Sequence, residues 1–203
     1  LAQVRDGLAD FAPSSDRSPG RLNLFRLGSR VVIVGFAHNE AGIAAVMDVA
    51  EGIAAGGAGR TSPITAIIGT AGDRPDDTLR GIGQIAARRA QRVAIKETRK
   101  YLRGRSAAAV IGELLAGVKS GGKGATDVPV YRSETAALKA ELNGAATDDR
   151  GRGADAPRVI VLMCHEERDE VFDLLKSLGA RPVDIASELT TIIPRLQERP
   201  RRA

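Results

Sequence analysis

Apolar and polar positions alternate along the chain in two different periods, and the two periods take turns. The run Val31-Val32-Ile33-Val34-Gly35 is β-branched and continuous, the pattern of a strand buried on both faces. It gives way to the polar turn His38-Asn39-Glu40. From Asn39 to about Ala55, apolar residues then recur at Ile43, Val46, Met47, Ala50 and Ile53, the spacing of a helix with one buried face. Asn39 suits the N-cap, since its side chain can accept from a backbone N–H that the helix leaves unpaired. Gly56-Gly57 ends the segment.

The same alternation repeats downstream. Ile64–Ile68 reads as a strand that runs into the loop Gly69-Thr70-Ala71-Gly72-Asp73-Arg74-Pro75, with proline at a helix start. Leu79, Ile82, Ala86 and Ala90 mark the next helix, and Arg92–Lys96 a third strand followed by a basic loop, Lys96 to Arg105. A helix from about Ala107 to Val118 would bury Val110, Ile111, Leu114, Leu115 and Val118. After a glycine-rich connection, Val128–Tyr131 forms a short strand, and Ser133 caps a helix carrying Ala137, Leu138 and Leu142. Val159–Met163 is the last long strand. Its helix packs Val171, Leu174, Leu175 and Leu178 and stops at Gly179. Before Val31, Leu22, Leu24 and Phe25 lead through Gly28-Ser29 in the manner of a hairpin. These periods predict an α/β fold, a Rossmann-like open and mostly parallel sheet with helices on both faces.

Three segments stand outside that alternation. Residues 1–18, with a short helix over Ala2–Phe11, read as a connector. Residues 143–157 are rich in Gly, Ala and Asp and read as a mobile loop. The tail carries a helix broken at Pro194 and a charged end over about 195–203.

Composition narrows the picture. Hydrophobic residues make up 43% of the 203 residues but aromatics only 3%, so the core must be aliphatic, as where helices cover a parallel sheet. A net charge of +5 and a pI near 9.8 suit anionic partners. The lack of aromatic stacking platforms argues against nucleic acid. One cysteine, Cys164, excludes an internal disulfide and fits a cytoplasmic setting. No apolar run approaches the roughly 20 residues of a membrane span. Leu1 in place of Met reads as the start of a fragment or a processed piece.

Several motifs carry candidate chemistry. Gly81-Ile82-Gly83-Gln84-Ile85-Ala86 matches a dinucleotide fingerprint, yet it lies inside an amphipathic helix and not in a strand-to-helix turn, which points to close helix packing. Gly117–Gly124 imitates a P-loop but has Gly124 where Ser or Thr would bind Mg²⁺. His165-Glu166-Glu167 reads either as metal ligands or as acids at a helix N-terminus. His38 and Asn39 sit where free N–H groups and the helix dipole favour polar ligands, or else serve only as turn and cap. Asp73-Arg74 faces the same edge, as a ligand pair or as a surface ion pair. The guanidinium groups of Arg99, Arg103 and Arg105 could grip a carboxylate or phosphate, or form a solvated loop. Three successive strand-to-helix turns with polar contents place a crevice at that edge of the sheet.

Taken together and in order, Pro19-Gly20-Arg21-Leu22-Asn23-Leu24-Phe25, Val34-Gly35-Phe36-Ala37-His38-Asn39, Gly72-Asp73-Arg74 and Lys96 through Arg103-Gly104-Arg105 resemble the carboxy-terminal domain of the Mur ligase family. The resemblance runs from about Pro19 to the last long helix. It implies an ATP-dependent amide-bond ligase in which this domain, over residues 19–203, closes on ATP and Mg²⁺ held mainly by a central ATPase domain. Residues 1–18 would then be the end of that domain or its linker. It further implies nucleotide contacts from Arg21, His38, Asn39, Asp73 and Arg74, and amino-acid contacts from Lys96, Arg99, Arg103 and Arg105. The roles are positioning and charge stabilisation, with no nucleophile supplied and no resident metal. Partners would be the central domain and an amino-acid or peptide substrate, with a homo-oligomer compatible, and the chain alone would be inactive. Two positions depart from the family: Gly35 stands where Asp usually reaches the nucleotide ribose, and Glu40 stands where Pro is usual. A non-catalytic binding or assembly module derived from the family is the alternative these departures allow.

Overall fold

The computed structural model describes residues 19–55, 62–124, 127–144 and 158–183. The expected connector over 1–18, most of the loop over 143–157 and the tail beyond 183 lie outside the described residues. Within them, strands β1 (Asn23–Leu27), β2 (Arg30–Gly35), β3 (Ile64–Ile68), β4 (Arg92–Lys96), β5 (Val130–Tyr131), β6 (Arg158–Met163) and β7 (Arg181–Val183) form one sheet in the order β5-β4-β3-β6-β2-β1-β7. Helices α1 (Glu40–Ala55), α2 (Asp76–Arg89), α3 (Ala107–Ser120), α4 (Glu134–Gly144) and α5 (Arg168–Ser177) connect them. No described helix is long and apolar enough to cross a membrane.

The five strands β5, β4, β3, β6 and β2 run parallel, whereas β1 is antiparallel to both of its neighbours. The hairpin expected around Gly28 is present, with Gly28 at φ +58° and Asn23 opposite Val34. The chain steps from β2 over to β3 and outward to β5, then returns to insert β6 between β3 and β2. In an open α/β sheet, that reversal opens a crevice at the carboxyl ends of the strands.

Period-two alternation sends each strand's residues to two separate cores. On one face Ile33, Ala66, Ile68, Val93, Ile95 and Val161 meet α1, α2 and α3. On the other Val32, Val34, Ile67, Ala94, Ile160 and Leu162 meet α4 and α5. Helices cover both faces, as the sequence predicts.

The glycines of the fingerprint-like run serve packing. A Cβ on Gly83 would lie 2.2 Å from the Leu114 carbonyl oxygen, and one on Gly117 would lie 2.0 Å from that of Arg80. The α2 and α3 backbones therefore meet at two glycines, leaving no space there for a side chain. The P-loop-like stretch contains Gly117 and the end of α3, so it too belongs to this contact.

Some expectations need correction. Leu178 is 46% exposed, because α5 ends at Ser177 and turns away before Gly179, whose φ is +80°. Ile53, Ile111, Leu115 and Leu174 are only partly buried at the flanks of their helices. The short strand begins at Val130, not Val128; Pro129 offers only its carbonyl to the ladder, accepting from Ile95 N–H at 2.9 Å. Lys96 is no part of the basic loop. It ends β4 on the α4 face and is 1% exposed.

Candidate functional site

Beyond the carboxyl ends of four adjacent strands lies a cavity of about 230 Å³. Phe36 and His38 reach it from the turn after β2, and Thr70, Ala71 and Arg74 from the turn after β3. Thr98, Tyr101 and Arg103 come from the loop after β4, and His165 from the turn after β6.

Each turn is held by local chemistry. Asn39 caps α1, its Oδ1 accepting from Gly42 N–H at 2.8 Å, so this side chain is occupied by the helix start and does not line the cavity. After β3, glycines are required at two positions: a Cβ on Gly69 would lie 2.5 Å from the Lys96 carbonyl, and one on Gly72 would lie 2.2 Å from that of Leu102. The β3 turn and the β4 loop thus touch backbone to backbone, and Gly72 N–H donates to the Tyr101 carbonyl at 2.9 Å. Arg103 adopts φ +48° beside Gly104 at +85°, a left-handed bend that turns the loop back over the cavity.

The guanidinium groups of Arg74 and Arg103 both pair with Asp73, at 3.3 and 3.1 Å. Arg103 also lies 5.9 Å from the centre of the Tyr101 ring. Phe36, 48% exposed, packs its ring against His165 at 4.9 Å and His38 at 5.8 Å. Arg105 is committed elsewhere: it donates to the Arg74 carbonyl at 3.2 Å and pairs with Asp76. Arg99 is exposed and pairs with Glu97 at 3.3 Å. Arg21 is exposed two residues before Asn23, which puts it on the same carboxyl edge without lining the cavity. Of the sequence-predicted residues, the structure therefore brings His38, Arg74 and Arg103 together, with Asp73 behind the arginines.

Beneath the cavity sits a buried charged cluster built on Glu134, which sequence reasoning did not single out, with Lys96 and His165, which it named only in other roles. Glu134, the first residue of α4, is fully buried. It accepts from Lys96 Nζ at 2.5 Å, from the Cys164 thiol at 2.9 Å, and from the successive backbone N–H groups of His165, Glu166 and Glu167 at 2.6, 3.1 and 2.8 Å. Three consecutive N–H groups around one anion make a nest, here filled by the protein's own carboxylate. Burial alone would raise the Glu134 pKa, but the Lys96 charge and the hydrogen bonds from Cys164, Lys96 and His165 outweigh it and hold the group at about 2. Burial, then the Glu134 charge beside it, pushes the Cys164 thiol well above its ordinary range.

Lys96 also donates to Thr98 Oγ1 at 3.0 Å, and its Nζ lies 3.1 Å from His165 Nδ1. Burial and the Lys96 charge lower the His165 pKa to about 3, so the ring is neutral. Its partners then set the tautomer: Nδ1 accepts from the ammonium, and Nε2–H donates to the Ala37 carbonyl at 3.1 Å. The chain Glu134–Lys96–His165–Ala37 thus ties the turns after β4, β6 and β2 into one rigid floor. The remaining acids of His165-Glu166-Glu167 bind backbone, Glu166 at Arg99 and Lys100 N–H and Glu167 at Thr135 N–H. No group of three or more His, Cys, Asp or Glu among the described residues is arranged to hold a metal ion.

No family model matches the chain. It is similar to the cyanophycin synthetase of Synechocystis sp., 35% identical over 174 residues that make up 86% of this chain and 18% of that protein. It is likewise 35% identical over 118 residues to the cyanophycin synthetase of Crocosphaera subtropica, covering 57% of this chain and 13% of that one. The chain therefore spans less than a fifth of the length of these curated relatives. Its fold matches the solved structure of a UDP-N-acetylmuramoyl-L-alanyl-D-glutamate–2,6-diaminopimelate ligase with a TM-score of 0.51 and 16% identity, over 80% of this chain and 32% of that one.

Proposed function

We propose that the chain, a Mur-ligase-like carboxy-terminal domain, is the closing domain of an ATP-dependent amide-bond ligase and helps position the incoming amino acid. The observation that carries the reading is the cavity itself. Independent turns from four strands converge on it and present His38, Arg74 and Arg103 at the edge where open α/β sheets bind ligands.

In this reading ATP supplies the activation of the acid, and ATP and Mg²⁺ are held mainly by a central domain of the same protein. This chain contributes binding, orientation and positive charge. Arg21 and His38 on the carboxyl edge face the nucleotide on closure, with Asn39 shaping the turn; Arg74 and Asp73, expected at the nucleotide, are tied to Arg103 through the shared Asp73 carboxylate, and in this reading face the amino acid with it. Arg99 and Arg105 form the outer loop. Lys96 acts from beneath, through Thr98 and His165, and not by contact with substrate. The test is phosphate release from ATP by the full-length protein. Release that requires an added amino acid supports the reading, and release indifferent to every amino acid overturns it. The isolated chain is expected to show no turnover.

One observation favours a second reading, a binding module that has lost catalysis. A Cβ on Gly35 would lie 3.5 Å from Val46 Cγ2, an ordinary contact, so packing does not demand glycine at this position. A methyl group has room there and is simply not present.

A further inference from the structure

His165 lines the cavity, yet both of its ring nitrogens are committed to the protein, and its side chain is only 4% exposed. Nδ1 lies 3.1 Å from Lys96 Nζ, and Nε2 lies 3.1 Å from the Ala37 carbonyl oxygen. Lys96 is committed in turn, since its ammonium reaches Glu134, Thr98 and His165 at 2.5, 3.0 and 3.1 Å. An ammonium has three protons and accepts none, so that set is complete. It leaves Nδ1 of His165 as the acceptor and the ring proton on Nε2, aimed at Ala37.

That bond falls on a stretch with few other supports. Residues 36–38 belong to neither strand nor helix. On one side of them Cys164 N–H donates to the Gly35 carbonyl at 2.8 Å, and on the other Asn39 caps α1. Between these ties the Ala37 carbonyl is held by a side chain from another turn, that of His165. The same imidazole packs 4.9 Å from the ring of Phe36, which packs 5.8 Å from His38. One group therefore fixes positions 36 and 37, and the placement of His38 follows from theirs. The His38 imidazole itself is exposed and, among the described residues, held by ring packing alone, which leaves its nitrogens open to a ligand.

We propose that His165 is a positioning residue for His38: through the Ala37 carbonyl and the Phe36 ring it aims the His38 imidazole at the nucleotide on closure. This rests on the reading that His38 faces the nucleotide, and it adds the buried group that sets the contact. A group that meets a ligand is effective only when its supporting shell holds it within about 0.5 Å of the productive position. His165 is that shell, and Lys96 stands one step behind it, deciding which ring nitrogen carries the proton.

Two variants separate the bonds of the imidazole. In His165→Gln an amide nitrogen reaches the place of Nε2 and keeps a donor for Ala37. In His165→Asn the shorter amide reaches only the place of Nδ1, so Lys96 keeps a partner and the Ala37 carbonyl loses its own. Phosphate release by the full-length protein is measured against ATP, and separately against the amino acid that best stimulates it, for both variants and for His38→Ala. Folding midpoints are measured in urea. His165→Asn is expected to raise KM for ATP about fivefold and to leave KM for the amino acid unchanged. His165→Gln should stay within about twofold of wild type for both substrates. The two variants lose the same ring and should share a similar midpoint, so lost stability does not produce the difference between them. Equal effects of the two variants, or a rise in both KM values together, would refute the proposal by revealing a general structural role. A His165 variant that does not fold refutes it as well, since the ring then holds the domain and not one side chain. If His38→Ala raises KM for ATP but His165→Asn does not, the role of His165 is refuted while the nucleotide reading of His38 stands. If His38→Ala leaves KM for ATP unchanged, or no amino acid stimulates release, that reading falls and the proposal with it.

Discussion

Truncating Glu134 should be among the most damaging single changes to this domain. Glu134→Ala removes the partner of a buried ammonium and uncovers three backbone N–H groups at once. Breaking a buried ion pair from one side typically costs about 3–5 kcal/mol, and the uncovered N–H groups push the figure to the upper end. Against the roughly 5–15 kcal/mol that holds a domain together, that is a large fraction, equivalent to a fall in Tm on the order of 10 °C. Lys96→Met should cost less, because Glu134 would keep its nest and the Cys164 thiol. Urea denaturation of the wild type and both variants measures the order. The pH dependence adds a second check. Glu134 titrates at about 2 in the fold against 4.5 ordinarily, so its contribution is complete above pH 4.5 and is lost as pH falls toward 2. The urea midpoint of the wild type should therefore fall more steeply over that window than that of Glu134→Gln. If Glu134→Ala costs under about 1 kcal/mol, or Lys96→Met costs more than Glu134→Ala, the nest is not what holds these turns together.

Other predictions follow from the same geometry. Cys164, 2% exposed with a raised pKa, should react with a thiol reagent only after unfolding; rapid labelling of the native protein would contradict its place in the cluster. Gly83→Ala should destabilise by about 1–3 kcal/mol or more, since its methyl would meet the Leu114 carbonyl; an unchanged urea midpoint would mean α2 and α3 are not in backbone contact. Gly35→Ala should leave the stability in urea within about 1 kcal/mol of wild type, and under the ligase reading Gly35→Asp should lower KM for ATP; ATP kinetics unaltered by Gly35→Asp would count against the nucleotide role of this position.

The fold was legible because each strand is a short continuous apolar run and each helix has one periodic face. Ile33, Ile43 and Met47 show this: the period changes at Asn39, and the structure changes from strand to helix there. The antiparallel β7 was not legible, since Arg181-Pro182-Val183 is too short and too polar to carry a period. His38, Arg74 and Arg103 could be found because polar residues directly after apolar strands mark the carboxyl edge. Glu134 could not, and Lys96 was expected at the substrate and not in a buried ion pair. A glutamate in the first turn of a helix looks like ordinary dipole chemistry, and a lysine at a strand end looks solvated. Only the sheet order brings α4 over β4, where Glu134 meets Lys96 and, two helical turns on, Glu141 meets Arg92 at 2.6 Å. The faint signal was Ala94-x-Lys96, a charge in phase with the buried face.

The most direct test of the central claim is the kinetics of Arg103→Ala in the full-length protein, with phosphate release measured against amino acid and ATP separately. The cavity account predicts a KM for the amino acid raised about tenfold or more and a KM for ATP close to wild type. Unchanged kinetics in both, or a change in ATP alone, would contradict it.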